Sequence, residues 1–308
     1  MNKKHNHDYG VASLNAGNHI LKFSKINIEI SNICNLQCSF CPVVIRDKKL
    51  MSLELFEKII SQVAPLTELV CLHLMGDPLV HPKLTEIIDA CEKYQVKIFF
   101  VTNGVLLRED KMTELLRPAL QQVNFSLHSF NDNFPNQDSS KYLEKIFSFT
   151  QMAFEQRPDL YLNYRLWNLN DPLGTKTDNS SMLQKVCERF EILAPSSIDV
   201  RKKKSIHLKN RLYLHFDTEF TWPSLDLEVL GTRGRCHGLS SHFGILVDGT
   251  VVPCCLDKEG SIPLGNISTL PIEDILNSQR AVQMINGFKK RQLIEDLCQR
   301  CQYIERFN

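Results

Sequence analysis

No stretch of this chain approaches the ~20 consecutive apolar residues of a membrane-spanning helix. Its basic opening, MNKKHNHDYG, is not followed by the apolar segment of a secretory signal. There is no internal repeat and no low-complexity tract. Nor is there an excess of charge: 36 Lys and Arg stand against 35 Asp and Glu, a formal net charge of +1. No global field therefore gathers nucleic acid or an anionic membrane. These absences predict a cytoplasmic protein without nucleic-acid or membrane partners. The 308 residues are 43% hydrophobic and 23% charged, enough for one large domain and a small one. Cysteine is abundant, with eleven residues. Disulfide scaffolds belong to short secreted chains, so this many cysteines in a cytoplasmic chain points to metal.

From residue 26 to about 204 strand and helix signals alternate. INIEIS (26–31) alternates strictly, and MSLELFEKIISQV carries Leu55, Phe56, Ile59, Ile60 and Val63 on one helical face after a candidate N-cap, Ser52. LVCLHLM (69–75), VKIFFV, QVNFSLHS, LYLNYRLW and SIDVRKKKSIHL are read as further strands, with helical spacings between them. Six β/α units in series predict an α/β fold with a parallel sheet, a partial (β/α)6 TIM-like barrel short of the full eight. After about residue 215 the pattern changes. FGILVDGTVVPCC reads as a hairpin turning at Asp248-Gly249, helix signals follow at 271–288, and the chain closes on a Cys-x-x-Cys pair. The division is an N-terminal extension at 1–24, a barrel at 25–214 and a small cysteine-organised domain at 215–308. Cys71, Cys91 and Cys187 lie singly in apolar patterns and read as core residues.

The stretch SNICNLQCSFCP places Cys34, Cys38 and Cys41 within eight residues directly after the first strand. The C-terminal ends of barrel strands are where such folds place chemistry. Thiolates select zinc, copper(I) or iron–sulfur. A structural zinc site would want a fourth ligand close by, and this segment has none. A [4Fe-4S] cluster held by three thiolates leaves one iron open to substrate or cofactor.

The spacing Cys-x3-Cys-x-aromatic-Cys, here Cys34, Cys38, Phe40 and Cys41, resembles the signature of the radical SAM superfamily. The resemblance implies that the open iron chelates S-adenosylmethionine (SAM). It also implies that one electron, supplied by a flavodoxin- or ferredoxin-type reductant, cleaves SAM to a 5′-deoxyadenosyl radical that abstracts hydrogen from substrate. Met75-Gly76-Asp77-Pro78 stands where the family has a Gly-Gly-Glu-Pro-like turn that contacts the SAM amino group. The first glycine is replaced and the acid is one methylene shorter. By the same resemblance Asn103 of VTNG lies near the adenosine, Ser126 contacts the ribose or carboxylate, and Arg165 of NYRLWN pairs with the SAM carboxylate. A salt bridge between Arg165 and a barrel carboxylate is the plain alternative.

The strand pattern itself predicts more. Asn27, Glu29 and Ser31 share one face of INIEIS; His73 and Met75 share one of CLHLM; Asn124, Ser126 and His128 share one of VNFSLHS. Buried polar faces need partners, so these faces are expected to line the barrel interior, with Glu29, His73 and His128 as catalytic candidates. The alternative is that Glu29 and His73 satisfy each other. Asp217, in His215-x-Asp217-x-Glu219, is a further candidate at the domain junction, while Trp222 reads as packing. The basic runs Arg201–Lys204 and Lys289–Arg291 read as solvated edges.

Cys236, Cys254, Cys298 and Cys301 form a second group, Cys-x17-Cys-x43-Cys-x2-Cys, with Cys255 as an alternative to Cys254. Four thiolates saturate a zinc ion or a cluster. The pattern resembles the twitch domain, a shortened SPASM domain, which implies one auxiliary [4Fe-4S] cluster and an electron-transfer role. The expected function is a radical SAM oxidoreductase acting on a small-molecule or peptide substrate. The alternatives are a maturase of a ribosomally made peptide and a non-enzymatic zinc-stabilised binding protein. Roughly 25 residues precede the first strand, fewer than a peptide-binding domain ordinarily needs, so in the maturase reading a partner is expected to supply that domain.

Overall fold

A computed structural model describes residues 22–169, 179–195, 198–202 and 204–307. Its strands form one ten-stranded sheet in the order β10-β9-β8-β1-β2-β3-β4-β5-β7-β6. Five parallel strands open it: β1 (Lys25–Ile28), β2 (Leu69–Cys71), β3 (Lys97–Thr102), β4 (Leu120–Ser126) and β5 (Tyr161–Leu169). Helices α1 (Leu53–Val63), α2 (Leu84–Lys93), α3 (Glu109–Leu115), α4 (His128–Asn133), α5 (Ser140–Gln156) and α6 (Ser180–Arg189) lie between and after them. Ile26 and Ile28, Val70, Ile98 and Phe100, Val123 and Phe125, Leu162 and Tyr164 turn one face of the sheet to the helices in a continuous buried core. Ser52 caps α1 as its position predicts, its Oγ accepting from the Leu55 amide at 3.2 Å.

The sixth parallel strand is not where the sequence pattern places it. Within SIDVRKKKSIHL only β6 (Ser205–Lys209) is extended, and it runs antiparallel at the sheet edge. Its hairpin partner β7 (Leu212–Thr218) is the strand that lies parallel to β5. The apolar alternation of LYLHFDT, with Leu212, Leu214 and Phe216 buried, fits a central position better than the lysine-rich edge does. Ser196, Ser197 and Lys203 of this stretch and most of the 1–24 extension lie outside the described residues.

Two other expectations change. LVCLHLM is a strand only to Cys71, so His73 and Met75 lie in the loop beyond it. The β4 strand stops at Ser126, and His128 begins α4 instead of sharing a strand face with Asn124 and Ser126. The hairpin β8 (His242–Ile245) and β9 (Thr250–Val252) turns at Gly249, whose φ of +89° needs glycine. The strand β8 pairs parallel with β1, so the cysteine-rich C-terminal part extends the barrel sheet. The short β10 (Gly265–Asn266) follows, and the helical signal at 271–288 resolves into α7 (Ile272–Leu276) and α8 (Gln279–Lys289). The sheet's outer strands, β10 and β6, do not pair, so the barrel is partial.

Candidate functional site

The loop after β1 carries Cys34, Cys38 and Cys41 to the rim of a cavity of about 730 Å³. Phe40, Gly76, Asp77, Asn103, Ser126 and His73 also line it, together with Trp222, so that tryptophan faces the cavity and does not only pack. Glycine is required at position 76. Its φ is +73°, and a Cβ there would stand 2.5 Å from the Ser31 carbonyl oxygen and 2.7 Å from that of Ile33. The turn therefore sits against the cysteine loop, with the Asp77 amide donating to the Ile33 carbonyl at 3.0 Å.

The fully free cysteines of this loop lie within mutual electrostatic reach, Cys41 donating to Cys38. Asn133 Nδ2 donates to Cys38 Sγ at 3.1 Å, the Leu36 amide to Cys34 Sγ at 3.5 Å and Asn103 Nδ2 to Cys34 Sγ at 3.7 Å. Hydrogen bonding lowers Cys38 to about 7, with Cys41 the leading donor; burial raises Cys34 to about 11. Helix α4 holds the loop from outside: the Gln37 amide donates to Asn133 Oδ1 at 2.9 Å, and the Ser39 amide to Asp132 Oδ2 at 2.6 Å. Asp132 and Asn133 were invisible to sequence reasoning because more than ninety residues separate them from the motif.

Asp77 is buried, and its carboxylate accepts from the Leu79 amide, Thr102 Oγ1 and the Asn103 amide at 2.8–3.0 Å. Those bonds make it the brace of its turn; burial still pushes its carboxyl above the ordinary range. Glu29 does not pair with His73. Arg46 Nη2 donates to its Oε1 at 2.9 Å, the Met75 amide at 3.3 Å, and the Val247 amide donates to Oε2 at 3.0 Å. Burial raises its carboxyl despite those donors. His128 is buried outside the cavity lining, with Nδ1 2.9 Å from the Arg165 carbonyl and its ring centroid 4.7 Å from that of Phe40. Burial lowers both His128 and His73 to about 4. Asp217 lies away from the cavity, in an ion pair with Lys204 at 3.4 Å. Arg165 makes no ion pair among the described residues; its guanidinium lies 4.2 Å from the Trp167 ring centroid and 5.5 Å from that of Phe99.

The interior polar face is satisfied in a way the strand pattern only partly foretells. Asn124 Oδ1 accepts from Gln122 Nε2 at 2.8 Å and Asn163 Nδ2 at 2.9 Å, and its Nδ2 donates to the Phe100 carbonyl at 2.8 Å. Asn27 Nδ2 donates to the Phe243 carbonyl at 3.1 Å.

At the other end of the chain, Cys236, Cys254, Cys255, Cys298 and Cys301 gather from three separate segments into mutual electrostatic contact. All are free, burial raises each thiol, and the Gly238 amide donates to Cys236 Sγ at 3.3 Å. Cys255 also packs beside Leu74, Leu246 and Val252. Among the described residues no three His, Cys, Asp or Glu side chains stand at the spacing of a single metal ion.

The parallel β/α units thus deliver three cysteines of one short loop to a cavity at the strand ends, and a second cysteine group gathers in the C-terminal part of the chain. Comparison with known proteins agrees. The Radical SAM superfamily model matches residues 28–163 and the SPASM iron-sulfur cluster-binding domain model residues 236–302. A probable GTP 3′,8-cyclase of Methanococcus vannielii is 32% identical over 76% of this chain and 86% of its own length. The antilisterial bacteriocin subtilosin biosynthesis protein AlbA of Bacillus subtilis is 34% identical over 81% of this chain, which spans 58% of that relative's length. A tungsten-containing aldehyde ferredoxin oxidoreductase cofactor-modifying protein of Pyrococcus furiosus matches over only 29% of its length. Among solved structures, BtrN in complex with AdoMet and 2-DOIA superposes with a TM-score of 0.59 at 18% identity, covering 91% of this chain and 93% of BtrN. Streptococcus suis SuiB bound to precursor peptide SuiA superposes with 0.61 at 16% identity, covering 93% and 73%. The chain belongs to the radical SAM superfamily and carries a SPASM domain. Its cofactors are accordingly SAM, a [4Fe-4S] cluster and auxiliary iron–sulfur. The donor sets fit: amide and side-chain N–H groups already point at thiol sulfurs in both cysteine groups, the kind of outer-shell bonding that tunes such clusters.

Proposed function

We propose that the chain is a radical SAM oxidoreductase, with Cys34, Cys38 and Cys41 as ligands of the SAM-binding cluster. Cys236, Cys254, Cys298 and Cys301 are then the ligands of one auxiliary [4Fe-4S] cluster. Bound there, these groups supply reductive cleavage of SAM to a 5′-deoxyadenosyl radical, hydrogen abstraction from substrate, and an acceptor for the electron that oxidation releases. The observation that carries the reading is the convergence of the three loop cysteines with Phe40, Gly76, Asn103 and Ser126 on one cavity. In this reading residues 25–214 hold the SAM site and 215–308 the auxiliary site, although their strands share one sheet. Asp77 braces the turn, Asn103 bridges the cysteine loop and the third strand end, and Asn133 fixes Cys38. A flavodoxin- or ferredoxin-type protein delivers the electron.

A peptide is the favoured substrate class, because the 34% identity to a bacteriocin biosynthesis protein extends over 81% of this chain. A small molecule is the second reading. The test is anaerobic reconstitution with SAM and a strong reductant. The expected result is about eight irons per chain and release of 5′-deoxyadenosine. Deuterium carried from labelled peptides or small molecules into that product identifies the substrate. Cys34→Ala is expected to abolish cleavage, and Cys298→Ala to spare cleavage while impairing turnover. Two zincs and no iron would sink the proposal.

A further inference from the structure

Helix α4 works against its own sequence. HSFNDN holds a serine, two asparagines and an aspartate among its six residues, side chains that compete with helical hydrogen bonds. Its stability therefore comes from outside, and the cysteine loop is what it grips. Ser129, Asp132 and Asn133 stand at i, i+3 and i+4 on one helical face, and all three bond to that loop. Local sequence that opposes the local fold is expected where function requires it.

Asn133 uses its whole side-chain amide. Its Oδ1 accepts from the Gln37 amide at 2.9 Å. Its Nδ2 donates to the Ser129 carbonyl at 2.9 Å and to Cys38 Sγ at 3.1 Å, which takes up both hydrogens. Two of these three bonds are to backbone, so they fix the side chain and keep Nδ2 aimed at the sulfur whatever that sulfur holds. Asp132 acts with the opposite charge. It accepts from the Ser39 amide at 2.6 Å and from Ser39 Oγ at 2.5 Å, and its negative charge reaches Cys38 and Cys41. Neither Asp132 nor Asn133 lines the cavity, so both act on the site through the cysteine loop.

The chemistry proposed above begins with one electron added to the cluster that these thiols hold. A donor at a ligating sulfur stabilises that added negative charge, and a carboxylate beside the loop opposes it. We propose that Asn133 and Asp132 are positioning residues that set the reduction potential of the SAM-binding cluster in opposite directions, Asn133 raising it through Cys38 and Asp132 lowering it. This role rests on the functional reading above, which makes Cys34, Cys38 and Cys41 the ligands. A clamp that merely held the loop would behave differently. Loss of either residue would loosen the same loop, and any change in potential would have one sign for both.

The test is an anaerobic redox titration of the reconstituted full chain, followed by electron paramagnetic resonance. The signal that changes on addition of SAM reports the open-iron cluster, and the signal that does not is the internal control. Asn133→Asp keeps the shape and the acceptor for the Gln37 amide but replaces the sulfur donor with a charge. It is expected to lower the midpoint of the SAM-responsive signal by about 59 mV or more, a tenfold change in a one-electron equilibrium. Asn133→Leu removes the donor without adding charge and should move the midpoint the same way, which keeps the test alive if Asn133→Asp holds no cluster. Asp132→Asn keeps an acceptor for the Ser39 amide and removes the charge. It is expected to raise the midpoint by about 28 mV, a threefold change, because solvent screens a charge at the loop surface. Midpoints equal to that of the wild type, or shifts of one sign at both positions, would overturn the proposal while the wild-type signal left the functional reading intact. A wild-type chain with no SAM-responsive iron–sulfur signal would sink the functional reading and this role with it.

Discussion

Gly76 shows how much of this site rests on one backbone angle. At φ +73° an L-residue costs ~1–2 kcal/mol, and the added methyl would also collide with two carbonyl oxygens and an amide nitrogen of residues 31 and 33. None of these is a flexible side chain, so the turn or the cysteine loop must shift. Gly76→Ala is expected to lower the apparent melting temperature by a few degrees, about what 1–2 kcal/mol does in a domain of this size. It should also weaken SAM binding by calorimetry. Unchanged SAM affinity would show that the turn does not set the cavity. The neighbouring Asp77 illustrates a limit of residue matching. Its place in the motif was legible, but only the fold shows its carboxylate turned onto Leu79, Thr102 and Asn103.

At the scale of elements, the segment after Cys41 is clamped to the C-terminal part of the chain. Arg46 reaches Glu29 in the barrel and donates through Nε to the Lys258 carbonyl at 2.6 Å. Glu259 accepts from the amides of Ile45 and Arg46, and Lys258 Nζ donates to the Val43 carbonyl. The loops that follow the two cysteine groups thus hold each other. Glu29 has no exposed side-chain surface and Arg46 only 16%. Removing the cation strands a buried carboxylate, an effect of about 3 kcal/mol or more. Arg46→Met is expected to lower stability by that order in denaturant unfolding. Adding Glu29→Gln should recover part of the loss, because the stranded charge is gone. A double variant as unstable as the sum of the single ones would show that the pair does not interact. None of this was legible in advance. Arg46 sits in an unremarkable KK-flanked loop, and its partners lie 17 and more than 210 residues away in sequence.

For the whole molecule, buried histidines set a direction of pH dependence. His128 and His242 fall to about 4 in the fold, chiefly by burial, against an ordinary value near 6.5. As pH drops below about 6.5 the unfolded chain takes protons that the folded one refuses, so their contribution to stability is full above that value and shrinks towards pH 4. Each buried imidazole contributes at most ~1.4 kcal/mol per pH unit. Glu29, Asp77 and Asp257, whose carboxyls burial raises, work in the opposite sense as pH falls through their raised values. Between pH 6.5 and 5 the urea midpoint is expected to fall, and His128→Asn to flatten the slope. An identical slope in the variant would remove His128 from the explanation.

By itself the sequence determined the local matters. Thiol spacing is set by covalent distance along one loop, helix and strand periods by backbone geometry, and the Asp248-Gly249 turn by glycine's freedom at positive φ. That was enough for the family, the cofactors and the parallel architecture. Tertiary structure decided what depends on distant partners. It moved the sixth parallel strand to Leu212–Thr218, because Leu212, Leu214 and Phe216 bury well beside β5 and the lysine-rich segment does not. It ended β4 before His128 and gave Glu29 to Arg46. It brought Lys25 and Arg165 to one phenylalanine ring. Charges and hydrogen bonds act through space, and no spacing along the chain records which residues that space brings together.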